Sequence, residues 1–128
     1  MGINTGVYVL WLYLPETQLI RIGKLGTFPF SAGVYAYVGS AQRNLKQRVA
    51  RHARLEKKLH WHIDYFRAQA EFLGAVLFSE EPKIVECLLA RGILQIPGSF
   101  SPVPGFGSSD CGCVSHLLKV PCAHPRNF

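Results

Sequence analysis

The sequence predicts one α/β domain, and two observations lead to this prediction. Segments with the composition or period of a β-strand alternate along the chain with two segments whose apolar residues recur at helical spacing. The chain has 128 residues, of which 48% are hydrophobic and 17% are charged, as is typical of a chain with a packed core. We expect residues 1–118 to form the domain and residues 119–128 to be a loosely held tail.

Two β-strands and a loop are expected before residue 33. Residues 6–14, GVYVLWLYL, are almost continuously apolar and rich in β-branched and aromatic types, which indicates a strand covered on both faces. A turn follows, and residues 18–23 are expected to return as the second arm of a hairpin. Residues 26–33 have the composition of a loop around Pro29.

A third strand is expected next. In residues 34–38, Val and Ala alternate with Tyr35 and Tyr37, which is the period of a strand that turns one face to the core and the tyrosines to the other side. Gly39 and Ser40 are expected to end this strand.

A basic helix is predicted directly after this strand. Asn44 is its expected N-cap, because apolar residues recur every four positions after it. Arg48 and His52 are also four residues apart and lie one position off the apolar stripe. We therefore expect both at the boundary between core and solvent, where a charged group can face a cleft. The apolar stripe consists of Leu45, Val49 and Ala53.

A further strand and a second helix are predicted in the following part of the chain. Residues 72–78, FLGAVLF, are a strand candidate, and residues 79–94 are predicted to be helical, with Ser79 as N-cap and Pro82 in the first turn. Glu86 lies at the edge of the apolar arc and is the only acidic residue in the body of this helix. The arc consists of Ile84, Val85, Leu88, Leu89 and Ile93.

Positive charge is concentrated in one segment. Seven of the fourteen Lys and Arg residues lie between Arg43 and Lys58, whereas no acidic residue lies between Glu16 and Glu56. This asymmetry predicts a phosphate-rich partner, a nucleic acid, because clustered cations gain affinity by releasing condensed counterions. The alternative is a solvated helix face. The residues expected to contact the nucleic-acid backbone are Arg43, Lys46, Arg51, Arg54, Lys57 and Lys58.

The segment HWHIDYF, residues 60–66, is too short for its period to decide between strand and helix. As a strand it would place His60, His62 and Asp64 on one face as a metal triad, whereas as a helix it would pair His60 with Asp64. We favour a hydrogen-bonded structural cluster with neighbouring aromatic rings in the core.

Cysteine and histidine residues are dense near the C-terminus, within fourteen residues. Soft ligands at this density can bind zinc, but a C-x-C pair is weaker support than paired C-x-x-C motifs. Reduced, partly buried thiols are the favoured interpretation, and a zinc-stabilised interaction protein is the alternative. The candidate ligands are Cys111, Cys113, His116, Cys122 and His124.

The first and third predicted strands carry paired tripeptides. Residues 6–8, GVY, and residues 37–39, YVG, resemble the paired signature of the GIY-YIG nucleases, with Val replacing Ile in both. The order of the later residues strengthens the resemblance, because one helix with Arg48 and His52 and then another with Glu86 follow. The segments HWHIDYF, ECLLA and GFGSSDCGCVSHL resemble the compact Uri-type branch, which is often described only as a domain of unknown function.

The resemblance covers about residues 6–116 and implies a small, mostly antiparallel β-sheet flanked by helices. It also implies a metal-dependent endonuclease or nickase that hydrolyses DNA phosphodiester bonds. Because a lone small domain has few base-reading elements, we expect the enzyme to select DNA structure, with a base sequence as the alternative. Magnesium or manganese would be the metal. The catalytic residues that it implies are Tyr8, Tyr37, Arg48, His52 and Glu86.

These residue types suit phosphodiester hydrolysis, in which negative charge builds on the phosphoryl oxygens. Arg48 offers a planar, permanently charged fork for those oxygens, and the Glu86 carboxylate is a ligand for a hard divalent cation. The resemblance makes Tyr8 the general base or water-positioning group, with Tyr37 beside it and His52 as its partner. A free tyrosine has a pKa of about 10, so that a nearby cation is required for Tyr8 to act as a base.

Each residue also has a structural alternative. Tyr8 and Tyr37 could pack across a sheet, and Glu86 could form an ion pair with Lys83 or Arg91.

The spacing departs from the common pattern of the family. Twenty-eight residues, 9–36, separate the two tripeptides, which we attribute to an enlarged hairpin or to an added strand and loop. One extra residue lies between Gly39 and Arg48, so Arg51 is the alternative to Arg48.

Residues 97–109 are rich in Pro, Gly and Ser and form a long predicted loop, and such loops are often functional. In members of the family that the sequence resembles, the loop at this position brings a polar residue back to the active site. Ser109 or Asp110 is therefore expected to position a water on the metal or a strand phosphate.

We accordingly expect a monomeric, cytoplasmic DNA endonuclease, acting with a repair or recombination partner protein. No apolar run approaches the roughly 18 residues of a membrane-spanning helix. A nucleic-acid-binding module that keeps the fold without efficient cleavage is the alternative from another class.

Overall fold

The computed structural model describes residues 4–108 and 111–122. A short 3₁₀ turn, Gly23–Leu25, links the second and third strands. The elements in chain order are β1 (Gly6–Leu14), β2 (Gln18–Ile22), β3 (Gly26–Phe30), β4 (Gly33–Ala41), α1 (Leu45–Ala53), α2 (His62–Arg67), β5 (Glu71–Ser79), α3 (Ile84–Leu94) and β6 (Leu117–Lys119).

A four-stranded antiparallel sheet, in the order β5-β1-β4-β6, forms the centre of the fold. The strand β1 pairs over its whole length with β4, from Gly6 opposite Ala41 to Leu14 opposite Gly33, and its other edge pairs with β5. A second sheet contains only β2 and β3. Together with three helices, this arrangement confirms the predicted small, mainly antiparallel α/β fold.

Both faces of the central sheet are covered. On one face the rings of Phe30, Tyr35 and Phe66 pack against one another, with centroids 4.7 to 6.3 Å apart. On the other face, small side chains such as Val9 and Val38 form a second apolar cluster with α3. The tyrosines of β4 thus face a core and not solvent, because α1 and α2 cover their side of the sheet.

The predicted hairpin between β1 and residues 18–23 is wrong. Both edges of β1 are already occupied by β4 and β5, so β2 pairs with β3 instead. The expected loop at residues 26–33 is also wrong, because β3 occupies most of it. Pro29 lies opposite Leu19 in this two-stranded sheet, where an edge strand tolerates the missing N–H.

The strand β4 does not end at Gly39 and Ser40, as the sequence suggested, but runs to Ala41. Gly39 lies directly opposite Tyr8 in the antiparallel register. A Cβ atom at Gly39 would lie 2.3 Å from the Tyr8 hydroxyl oxygen, so the glycine admits the tyrosine side chain and does not break the strand.

The helix α1 begins after Asn44, as predicted, but the Asn44 side chain does not cap it. Asn44 has a left-handed backbone with φ of 58°. The cap comes from Asn4, whose side-chain oxygen accepts a hydrogen bond from the Lys46 N–H at 2.9 Å and whose carbonyl accepts one from the Leu45 N–H at 3.0 Å. The start of the described chain is therefore tied to the basic helix.

The helix α3 begins at Ile84 and not at Ser79, because β5 extends through Ser79 and an irregular segment with Pro82 follows. Its apolar arc is also narrower than predicted, since Ile84 and Leu88 are 62% and 55% exposed. Val85, Leu89 and Ile93 pack against the second apolar cluster, as expected.

The chain remains tied to the fold past the expected boundary at residue 118. Lys119 ends β6, the Val120 N–H donates to the Val34 carbonyl at 3.0 Å, and the Cys122 carbonyl accepts from the Val34 N–H at 3.2 Å. The described residues include no helix that is long and apolar enough to cross a membrane.

Candidate active site

A cavity of about 450 Å³ opens where β1, β4, α1 and α3 approach one another. Four of the five residues that the sequence predicts to be catalytic line it, and the fifth, His52, contacts one of them from behind. Residues that are 78 positions apart in the chain thus share one site. The predicted residues in the lining are Tyr8, Tyr37, Arg48 and Glu86.

Tyr8 and His52 form a direct side-chain contact within the site. The Tyr8 hydroxyl oxygen lies 2.8 Å from His52 Nε2, and the two side chains are 3% and 1% exposed. Burial lowers the pKa of His52 to about 4, so the ring is neutral near pH 7. Burial also raises the pKa of Tyr8 above its usual value of 10, although the positive charge of Arg48 partly offsets this effect. A protonated tyrosine therefore donates to a neutral histidine.

Asp64 lies behind His52. Its Oδ1 is 4.0 Å from His52 Nδ1, and it forms a two-point ion pair with Arg51, at 3.0 and 3.1 Å. Burial by itself raises the pKa of Asp64, but hydrogen bonds from Arg51 and from the backbone N–H groups of Trp61 and His60 outweigh this effect and lower it below 3.8. The buried carboxylate is thus ionised and favours the His52 tautomer with its proton on Nδ1.

Glu86 extends from α3 into the opposite side of the cavity. Ser40 Oγ donates a hydrogen bond to Glu86 Oε1 at 2.8 Å, and His116 Nδ1 lies 2.9 Å from Oε2. His116 is thus a partner of the Glu86 carboxylate that the sequence did not predict. Two neighbours orient this carboxylate, which has a small exposed fraction of 8%.

Arg48 lies between these two halves of the site. Its Nη1 donates a hydrogen bond to the Ser40 carbonyl at 2.8 Å, and its guanidinium carbon lies 4.9 Å from the centroid of the Trp61 ring. This hydrogen bond occupies one of its five N–H groups, and the side chain remains part of the cavity wall. The extra residue after Gly39 does not remove Arg48 from the site, whereas its alternative, Arg51, is bound to Asp64.

Tyr37 packs edge-on against His52 and Phe106, with ring centroids 6.2 and 6.1 Å apart. Burial raises the pKa of its hydroxyl well above 10. Gly107 has a φ of 67°, and a Cβ atom there would lie 3.1 Å from the Tyr37 hydroxyl oxygen. The loop can therefore approach Tyr37 only because residue 107 is glycine.

The six basic residues expected to contact nucleic acid fall into two groups. Arg51 and Lys57 form contacts within the fold. Arg51 binds Asp64, and Lys57 Nζ donates to the carbonyls of Arg51 and His52 at 3.0 and 2.9 Å. The Lys57 side chain is only 4% exposed, and burial lowers its pKa to about 8. The exposed members are Arg43, Lys46, Arg54 and Lys58.

The strand alternative for the HWHIDYF segment, with its metal triad, is wrong. Residues 62–67 form α2, and the Asp64 carboxylate accepts hydrogen bonds from the His60 and Trp61 N–H groups at 2.8 and 2.9 Å. His62 Nδ1 accepts one from the Gly107 N–H at 3.0 Å. The favoured hydrogen-bonded cluster is present, and His60 and His62 also contribute to the cavity wall.

Only some of the candidate zinc ligands near the C-terminus lie close together in the structure. Cys111, Cys113 and His116 lie close together, but the fourth residue of this cluster is Cys87 of α3 and not Cys122. Ser109, Asp110 and His124 lie outside the described residues.

Sequence reasoning missed three contributions to the site. The sequence interpretation ends a strand at Ser40, does not connect Gly39 to Tyr8 and considers His116 only as a zinc ligand. The available signal for two of them is the YVG tripeptide, which ends at Gly39 and is followed directly by Ser40. No signal in the sequence connects His116 to Glu86, because that contact depends on how α3 packs.

A family model described as "Domain of unknown function DUF123" matches residues 7–127. No curated protein and no solved structure gave a match. The matched span includes the whole lining of the cavity, from Tyr8 to Gly107.

Proposed function

The chain belongs to the DUF123 family, and we propose that it is a GIY-YIG-type endonuclease that hydrolyses phosphodiester bonds in DNA with the help of a divalent metal ion. One observation carries this proposal: a Tyr8–His52 pair, an arginine and an oriented carboxylate converge on one cavity from separate elements. This set supplies a proton acceptor, a phosphate-binding cation and a ligand for a hard metal ion, which are the three needs of phosphodiester cleavage.

The cavity residues fit a magnesium or manganese ion. Glu86 presents oxygen ligands, and after the contacts with Ser40 and His116 each carboxylate oxygen retains a lone pair. Such ions favour carboxylate oxygen and keep several waters, so that one protein ligand can suffice. When bound, the ion would supply Lewis-acid charge at the phosphoryl oxygens.

Tyr8 and His52 would handle the proton of the attacking water. In the free protein the Tyr8 hydroxyl remains protonated because it is buried, and His52 Nε2 is its acceptor. Added positive charge in the cavity would favour the tyrosinate, and Tyr8 would pass its proton to His52 while it takes one from water. Asp64 would stabilise the positively charged ring of His52 from behind, at 4.0 Å.

Arg48 would hold the charge that develops on the phosphoryl group. Its guanidinium lies in the cavity wall between Glu86 and Tyr8, and the Ser40 carbonyl and the Trp61 ring fix its orientation. Preorganised donors of this kind contribute about 100-fold to 1,000-fold to rate. The exposed basic residues of the segment from Arg43 to Lys58 support a polyanionic substrate, and DNA is our proposal for it.

The test is a nicking assay on supercoiled plasmid and on branched oligonucleotides, with Mg²⁺, Mn²⁺ or chelator. We expect metal-dependent cleavage by the wild type and a loss of at least about 100-fold in Tyr8→Phe, Arg48→Ala and Glu86→Gln. Arg91→Ala, which removes an exposed arginine of α3 outside the cavity, is the matched control and should cleave normally.

Two outcomes would contradict the proposal. Wild-type rates in Glu86→Gln would remove the metal role of this carboxylate. Tight DNA binding without cleavage in any metal would favour a binding module, an alternative that the high pKa of the buried Tyr8 already supports.

A further inference from the structure

Four side chains of the types that bind metal ions meet next to Glu86, and none of them lines the cavity. Cys87 comes from α3, and Cys111, Cys113 and His116 come from the segment that leads into β6. One ligand atom of each lies within 4.8 Å of all the others. Cys87 lies 24 positions before Cys111, which is the nearest of the other three residues in the sequence. The tertiary fold therefore assembles the cluster, and not the local sequence.

The spacing of these atoms fits a tetrahedral zinc ion. With Zn–S bonds of about 2.3 Å and Zn–N bonds of about 2.0 Å, ligand atoms lie roughly 3.5 to 3.8 Å apart. Cys111 Sγ is 3.4 Å from His116 Nε2, and the largest separation in the cluster exceeds the ideal by about 1 Å. Rotation of a thiol side chain covers that difference. Three thiolates and one imidazole form a closed set of four, as in structural zinc sites.

The orientation of His116 supplies a second, independent observation. Its Nε2 faces the thiol of Cys111, and its Nδ1 lies 2.9 Å from Glu86 Oε2. A histidine that binds metal through one nitrogen commonly has a carboxylate as the partner of its other nitrogen. The short Nδ1–Oε2 distance makes Glu86 that partner here, although the two groups are not aligned as a hydrogen bond in this structure. The His116 side chain is 1% exposed, so this geometry is held by the surrounding protein.

We propose that Cys87, Cys111, Cys113 and His116 bind a structural zinc ion, and that the zinc-bound His116 holds the Glu86 carboxylate in position at the cavity. The zinc site stands independently of the nuclease proposal. Its effect on cleavage rests on that proposal, because only there does Glu86 act on a substrate.

The zinc site explains why the segment 111–116 can hold its position with little regular structure. In the described chain this segment has no helix or strand, yet Ser115 and His116 are buried and β6 follows directly. A metal ion bound by both α3 and this segment would join them, and its binding energy would add to folding stability.

The first measurement is the zinc content of the full chain, purified with a thiol reductant and without chelator. We expect about one zinc per chain in the wild type and in Cys122→Ser, which removes the cysteine outside the cluster. Cys87→Ser and Cys113→Ser should retain less than a tenth of that amount. Circular dichroism of each variant separates loss of metal from loss of fold, and Cys113→Ser, in the irregular segment, spares α3.

Cobalt substitution tests the ligand set directly. Co²⁺ added to the reduced, metal-free wild type should produce sulfur-to-cobalt charge transfer in the near ultraviolet and the strong visible bands of a tetrahedral site. Cys122→Ser should give the same spectrum, and Cys87→Ser a weaker charge-transfer band. A wild type that neither retains zinc nor develops charge transfer would overturn the proposal, as would a disulfide formed within the cluster in place of metal binding under reducing conditions.

Glu86→Gln distinguishes the positioning role from the nuclease proposal. Loss of a carboxylate partner of a metal-bound histidine lowers metal affinity about 10-fold to 100-fold, and we expect this in a zinc competition titration. That readout requires no DNA cleavage. Unchanged zinc affinity in Glu86→Gln would overturn the link between the two sites even if the nuclease proposal holds.

Discussion

Gly39 lies opposite Tyr8 across the β1–β4 pairing, and the space of its missing side chain is filled by the tyrosine. A Cβ atom there would lie 2.3 Å from the hydroxyl oxygen of Tyr8 and 2.8 Å from a ring carbon. Gly39→Ala should therefore displace the Tyr8 ring and break its contact with His52. A displacement of about 1 Å can cost 100-fold in rate, which we expect in the nicking assay.

Gly92→Ala is the matched control for this change. Gly92 lies in α3, and beyond the backbone of its own helix and its chain neighbours no atom lies within 4 Å of an added Cβ. Alanine there should stabilise the helix by up to about 1 kcal/mol. Equal cleavage by the two alanine variants would show that the position of the Tyr8 hydroxyl does not limit the reaction.

His52 should make the stability of the protein fall in mild acid. Burial is the largest cause of its lowered pKa, and the positive charges of Lys57, Arg51 and Arg48 add to it, whereas Asp64 opposes it. Because the folded-state pKa is about 4 and the ordinary value is 6.5, the unfolded chain binds the proton more tightly. The free energy of unfolding should thus decrease as pH falls from 6.5 to about 4, by up to about 3 kcal/mol.

Urea unfolding at several pH values, in the wild type and in His52→Gln, measures this contribution. Glutamine does not titrate, so the variant should lose less stability than the wild type between pH 6.5 and 4. The loss due to Asp64, whose folded-state pKa lies below 3.8, begins at lower pH and should be present in both proteins. Parallel curves across the window would mean that His52 binds its proton at the same pH in the folded and the unfolded chain, which would contradict the lowered pKa.

At the scale of elements, Asp64 joins α2 to α1. It accepts hydrogen bonds from two backbone N–H groups at the start of α2 and binds Arg51 of α1 at two points. Asp64→Asn keeps a cap oxygen but removes the charge that Arg51 needs. We expect a loss of about 3 kcal/mol, since breaking a buried ion pair leaves its partner uncompensated.

Thermal or urea denaturation checks this value against Glu56→Gln, which removes an exposed carboxylate at the end of the same basic segment. The control should change stability by less than about 0.5 kcal/mol. A loss in Asp64→Asn no larger than in the control would indicate that Arg51 finds another partner.

The elements differ in how far their sequence determines them. The strands β1 and β5 could be predicted closely because a run of β-branched and aromatic residues has few other stable arrangements. The strand β3 could not be predicted, because Gly26 and Pro29 are typical of a loop. Only its pairing with β2 makes this segment a strand. Similarly, Asn4 rather than Asn44 caps α1, because the chain start returns to the helix from about 40 residues away.

At the scale of the whole molecule, the order of the candidate catalytic residues along the chain could be predicted from the sequence. The contacts between residues distant in the sequence could not be predicted. Tyr8, His52 and Glu86 were identified from their order and share one site. Cys87 was not connected to the other cysteines, since only the packing of α3 brings it to Cys111.

The same distinction applies to charge, and it leads to a prediction about DNA binding. The sequence shows seven cations in one segment, but the fold withdraws Arg51 and Lys57 into internal contacts. Only exposed residues can release counterions from DNA. Arg43→Gln combined with Lys46→Gln should thus reduce the slope of log K against log salt concentration by about 1.8, or about 0.9 for each phosphate that the variant no longer neutralises.

Lys24→Gln combined with Arg91→Gln is the matched control. Both double variants lower the net charge of +6 by two, and both remove exposed cations. The control residues lie on the β2–β3 connection and on α3, outside the basic segment, so the slope should remain that of the wild type. Fluorescence anisotropy titrations at several salt concentrations measure both slopes. If binding depended on net charge alone, both double variants would show the same reduced slope. That result would refute a DNA-contacting role for the exposed residues of this segment.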